Sequence, residues 1–62
     1  MYICVEGEYY RDNSWNKFVC NSEKSAITIC QRYGWKWNHK QDLWLNDDLK
    51  RWRRIEHIEV VE

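Results

Sequence analysis

Five tryptophans in a chain of 62 residues constrain this sequence more than any other feature. A domain of this size buries only about 60% of the surface its unfolded chain exposes. Each indole carries roughly 150–250 Å², so roughly two or three rings fill such a core. The others must lid its edge or face a partner. Four of the five, Trp35, Trp37, Trp44 and Trp52, stand in the second half among charges, as Trp35-Lys36-Trp37, Leu43-Trp44-Leu45 and Arg51-Trp52-Arg53-Arg54. That half is the expected working surface.

The charges balance, 10 Lys plus Arg against 10 Asp plus Glu, so no global field steers the chain to nucleic acid or a membrane. Their distribution is uneven. Residues 35–54 carry six basic side chains (Lys36, Lys40, Lys50, Arg51, Arg53, Arg54) against three acidic ones (Asp42, Asp47, Asp48), whereas 55–62 carry Glu56, Glu59 and Glu62. Electrostatic recognition is therefore local. A hydrophobic fraction of 44% beside 32% charged residues describes a folded globule rather than a disordered tail. The cysteines, Cys4, Cys20 and Cys30, are odd in number and cannot all pair within one chain. The N-terminal stretch has no basic region followed by an apolar run, and no stretch approaches the ~20 apolar residues of a membrane span. These readings predict a single domain over 1–62, in a reducing cytoplasm with free thiols and with no membrane association.

Residues 2–10 read as a strand, with Ile3, Val5 and Tyr9 on one side and Cys4, Glu6 and Glu8 on the other. Gly7 suggests a bulge. Arg11-Asp12-Asn13-Ser14 is a polar turn, and Trp15 to Cys20 a second strand hairpinned to the first. Asn21 and Ser22 suit an N-cap, Glu23 the first helical turn, and Gly34 a C-terminal stop. With Ala26, Ile27, Ile29, Cys30 and Tyr33 at helical spacing, the pattern predicts a helix over 22–33, packed on the Ile3/Val5 face. Beyond it, 35–38 and 43–45 read either as short strands around a polar turn or as an irregular segment. Residues 46–54 read either as a helical turn begun by Asn46-Asp47-Asp48 or as a tight turn leading into a strand from about 51 to 61; the second reading is preferred. The final strand is placed beside the first. The predicted fold is α+β: one helix on a small antiparallel sheet of three to four strands, in the order ββα, short hairpin or turn, then β.

This layout resembles that of small accessory proteins of bacteriophages and mobile elements. The resemblance lies in the opening Met1-Tyr2-Ile3-Cys4-Val5-Glu6 and in the strand-to-helix junction Phe18-Val19-Cys20-Asn21-Ser22-Glu23-Lys24. It extends to Gly34-Trp35 and to the close formed by Trp52 and Ile55-Glu56-His57-Ile58-Glu59-Val60. It implies an accessory factor of the kind that inhibits host defence complexes and transfers no functional residue. The chain departs from that pattern in carrying Lys50, Arg51, Arg53 and Arg54 together.

No nucleophile elbow, phosphate loop or partnered acid is present, so no enzymatic chemistry and no catalytic residue is assigned. The cysteines lack the close spacing of a zinc finger and suit core packing, so no metal or other cofactor is assigned. Trp, Tyr and Arg are the residue types of binding hot spots. The expectation is a non-enzymatic protein that occludes or inhibits a larger host protein, such as a nucleic-acid-handling defence complex. Its contact candidates are Trp35, Trp37, Trp44, Arg51, Trp52, Arg53 and Arg54. Glu6, Glu8, Glu56 and Glu59 form an alternative acidic surface, set by pairing of the first and last strands. The alternative function is single-stranded nucleic-acid binding by the same Trp/Arg segment, with rings stacking on bases and cations following phosphates. Strand alternation opposes it, since Arg51 and Arg53 leave the face that Trp52 and Arg54 share. Exposed rings also make a homodimer the third outcome.

Overall fold

The computed structural model describes residues 1–59. Strands β1 (Tyr2–Glu8) and β2 (Ser14–Cys20) form the first hairpin, helix α1 (Glu23–Arg32) follows, and β3 (Lys36–Asn38), β4 (Leu43–Asn46) and β5 (Arg51–His57) complete the chain. The fold is α+β, and its sheet is antiparallel with five strands in the order β2-β1-β5-β4-β3. The sheet thus exceeds the expected three to four strands because both short segments after the helix join it. The last strand does pair with the first, Cys4 opposite Ile55 and Glu6 opposite Arg53. The part of the predicted strand beyond residue 59 lies outside the described residues.

Local chemistry explains the boundaries. Ser22 adopts extended geometry and its hydroxyl accepts from the Ser25 amide at 3.2 Å, which satisfies one orphan N–H of the helix start. At the other end Gly34 takes φ +82°, and the Trp35 amide returns to the Cys30 carbonyl at 3.0 Å. The β3–β4 and β4–β5 connections repeat one device. Asn38 and Asn46 each accept with Oδ1 from the amide three residues on, at 3.0 Å and 3.1 Å, and each turn closes on a left-handed residue, Asp42 (φ 59°) or Lys50 (φ 57°). The side chain of Asn46 therefore starts a turn, and the left-handed Lys50 ends it before a helix can propagate.

The helix packs on the opposite face of β1 from the one expected. Cys4 and Glu6 point toward it, and the core gathers Cys4, Cys30, Trp35 and Trp44, flanked by Phe18, Ile27 and Ile55. Ile3, Val5 and Gly7 consequently face away. Size and charge account for the reversal. Cys4 shares the core cluster with Cys30, and both, like Ala26 on the same helix, are small and fully buried, which allows close approach of the two layers. Glu6 has its arginine partner only on that side.

Gly7 marks no bulge; the register shift falls between Cys4 and Val5, where Lys17 is the extra residue in β2. Gly7 is required for another reason. A Cβ there would stand 2.3 Å from Cζ2 of Trp52, the residue opposite it in β5. The indole lies across the bare backbone. A Gly7→Ala substitution should displace the ring and lower stability by about 1–3 kcal/mol, the usual cost of overpacking. Urea unfolding followed by tryptophan fluorescence measures both effects.

Candidate functional site

Because α1 covers one face of the sheet, two regions hold the chemistry of the molecule: the ion pair under the helix and the face left open. Under the helix, Arg53 Nε donates to Glu6 Oε1 at 2.8 Å, with both residues buried. The guanidinium carbon sits 4.1 Å from the Trp35 ring centre and 5.6 Å from that of Phe18. Arg51 Nη1 stands 3.7 Å from Glu6 Oε2, an oxygen that is buried and accepts no hydrogen bond among the described residues. Burial works against the Arg53 charge, but the hydrogen bonds to Glu6 and Cys30 outweigh it and hold its pKa above the ordinary value.

Two thiols complete this cluster. Arg53 Nη1 lies 3.8 Å from Cys30 Sγ. Interaction with the Cys4 thiol, helped by Arg53 and opposed by burial, lowers the pKa of Cys30. The same interaction, with burial, raises that of Cys4.

The open face is a different surface. Residues directly opposite one another across a ladder share a face. Val19, Ile3 and Glu56 form one row; Asn16, Val5 and Arg54 the next; Ser14, Gly7, Trp52, Leu45 and Lys36 the third. Trp52 and Leu45 also line a shallow groove of about 430 Å³ with Tyr9, Tyr10 and Leu43. Tyr9 donates to Asp47 at 2.8 Å, and burial together with that bond pushes its pKa up to about 12. Arg54 is 5.5 Å from the Trp52 ring centre and donates to Glu56.

The seven expected contact residues separate. Trp35, Trp44 and Arg53 are buried and offer a partner almost no surface. They are inside because the parity of β5 turns Arg53 toward Glu6, Trp44 stands opposite Arg53, and Trp35 stacks on the guanidinium. Arg51 lies on the helix side, over the Trp15 ring at 5.5 Å. Trp37, 41% exposed, also lies on the helix side, tilted against Trp44 on the edge strand β3. Only Trp52 and Arg54 share the open face. The acidic surface does not assemble either. Glu6 is buried with arginine, whereas Glu56 stands opposite Ile3 on the other face. Glu8 bonds Asn13 and pairs with Arg11, and Glu59 lies beyond β5. Pairing the strands brought these carboxylates near in sequence register, but strand parity divided them. Sequence reasoning missed Ile3, Val19, Leu43 and Leu45 as surface candidates; their alternation was visible, but the side the helix takes was not. Among the described residues, no three His, Cys, Asp or Glu side chains converge as metal ligands, and no helix is long and apolar enough to cross a membrane.

Removing one partner of a buried ion pair strands the other charge, whereas replacing both with apolar groups is often neutral. Glu6→Leu should therefore cost about 3–5 kcal/mol. Adding Arg53→Met should recover most of that loss, as a double-mutant cycle by chemical denaturation would record. The thiol pair makes a second prediction. The lowered Cys30 pKa contributes stability that is full above the unfolded value of about 8.5 and lost as pH falls through the folded value. The raised Cys4 pKa contributes below about 8.5 and is lost above it. Melting temperature should thus rise with pH toward about 8.5 and decline beyond. The difference between wild type and Cys30→Ser, followed across that range, should isolate the rising limb.

Comparison with protein-family models, with curated proteins and with solved structures finds no match to this chain, so its functional reading rests on the geometry.

Proposed function

We propose that the protein is a small non-enzymatic binding protein that occludes a site on a larger protein, with the open sheet face as its contact surface. The observation that carries this reading is the one-sided sheet. Its uncovered face presents the exposed Val19 and the half-buried Ile3, Leu43, Leu45 and Trp52 around a buried Val5, with Arg54, Glu56, Lys36 and Asp47 about them. An apolar centre within a charged rim is the composition of protein interfaces, and a large ring at that centre is the usual anchor. Trp52 arrives there pre-positioned by the bare backbone of Gly7, which lowers the ordering cost of association.

The arginine pattern favours a protein partner over single-stranded nucleic acid. Arg53 is committed to Glu6, Arg51 lies against the same carboxylate, and Arg54 bonds Glu56. The three arginines that would follow a phosphate chain are thus paired within the fold, which leaves Lys36, Lys40 and Lys50 as the cations of this segment. A host protein, of the kind engaged by phage and mobile-element accessory factors, is the partner class of this reading.

Val19→Asp puts a charge on a half-exposed position of the open face, while Lys24→Glu changes an exposed helix residue on the far side. In affinity capture from nuclease-treated extract, one stoichiometric protein should be retained by wild type and Lys24→Glu. Val19→Asp should lose it by at least about tenfold, equivalent to ~1.4 kcal/mol. Equal retention by all three forms overturns the open face as the surface. Release by nuclease, or oligonucleotide binding that weakens steeply with salt, overturns the protein partner.

A further inference from the structure

The binding reading leaves the buried thiols without a role, and their placement is specific. Cys4 comes from the middle of β1 and Cys30 from the last turn of α1, yet both are fully buried in one core cluster. Cys20, on the edge strand β2, is outside that cluster. Their surroundings carry unbalanced charge. Arg53 and Arg51 both approach Glu6, so two guanidinium charges meet one carboxylate. The remaining positive charge is directed at sulfur, with Arg53 Nη1 3.8 Å from Cys30 Sγ. A sulfur anion fits this site, and thiolates are the nucleophilic form of cysteine.

A groove adjoins the site as well, although neither sulfur lines it. A groove of about 520 Å³ opens between α1, β2 and the turn before β5, lined by Phe18, Ile29, Tyr33, Trp35, Leu49 and Arg53. Arg53 belongs to both the groove and the thiol cluster, so a small polar oxidant entering the groove reaches the residue that touches Cys30.

We propose that Cys4 and Cys30 are a peroxide-sensitive dithiol that closes into an intramolecular disulfide, tying the helix to the sheet. The Cys30 sulfur attacks one oxygen of hydrogen peroxide and the O–O bond breaks. Cys30 becomes a sulfenic acid, and the released hydroxide takes a proton and leaves as water. The Cys4 sulfur then attacks the Cys30 sulfur; the S–S bond forms, the S–O bond breaks, and the second water departs with the Cys4 proton. Two thiols lose two electrons and the peroxide gains them. The bridge joins elements distant in sequence, so it restricts the unfolded chain and raises the melting temperature.

The test treats the reduced full chain with hydrogen peroxide, then counts free thiols and maps linked peptides by mass spectrometry. The expected product is a monomer with one remaining thiol, at Cys20, a peptide linked between Cys4 and Cys30, and a melting temperature that falls back on reduction. Cys20→Ser should form the same bridge and retain no thiol. Cys4→Ala should stop at a Cys30 sulfenic acid that dimedone traps. Persistence of all three thiols overturns the proposal, as does a dimer bridged through Cys20. Should Cys4→Ala fail to fold, the Cys20→Ser protein decides alone: absence of its intramolecular bridge overturns the proposal.

Discussion

The buried contact between Glu6 and Arg53 governs the arrangement of this molecule. Joining neighbouring strands across the middle of the sheet, it fixes which face of both is inward. A one-residue slip of β5 would turn Arg53 outward and leave a carboxylate uncompensated beneath the helix. Buried pairs add little net stability compared with apolar substitutes, but a broken one is severely costly. Its main effect here is thus selection among registers. It excludes alternatives that hydrophobic burial alone would tolerate in so small a domain.

The aromatic content follows from that constraint. A guanidinium inside a thin core needs neighbours that tolerate its charge, and the face of an indole does so while burying much apolar area. Trp35 and Phe18 lie near Arg53, and Trp15 near Arg51. Each such contact contributes on the order of 0.5–2 kcal/mol. The arginines and tryptophans that crowd the second half of the chain are therefore largely partners of one another. Their proximity in sequence resembles a recognition patch, but much of it is internal.

The elements were largely legible in the sequence, because caps and turn residues act locally. Ser22 and Gly34 bound the helix, and the last strand lies against the first as expected. The sheet's five strands and its inward face were not legible. Strands of three and four residues, β3 and β4, give too little alternation to be distinguished from irregular hairpin segments. Parity was misread for a different reason: Ile3 and Val5 are more hydrophobic than Cys4 and Glu6, so local hydrophobicity pointed the wrong way. The deciding term was a partner 47 positions away, and no local pattern contains it. The candidate site inherited the same ambiguity. Trp52 and Arg54 were correctly placed on one face, while Trp35, Trp44 and Arg53 had no local feature marking them as interior.

The reversal of parity has a functional consequence. With polar Glu6 and small Cys4 turned under the helix, the more hydrophobic side of β1 becomes the uncovered one. A chain with a single helix can cover only one side of a five-stranded sheet, so the ion pair and the open apolar face are two results of one choice. Burying the charges obliges Ile3 and Trp52, both half-buried, to occupy the other face beside the buried Val5, where Gly7 lets the indole lie flat over β1. Exposure of such a face is a cost for an isolated domain, lowered only in part by the ring's own packing. In the binding reading proposed above a partner covers that face, so the interaction that organises the interior also leaves the exterior surface on which that reading depends.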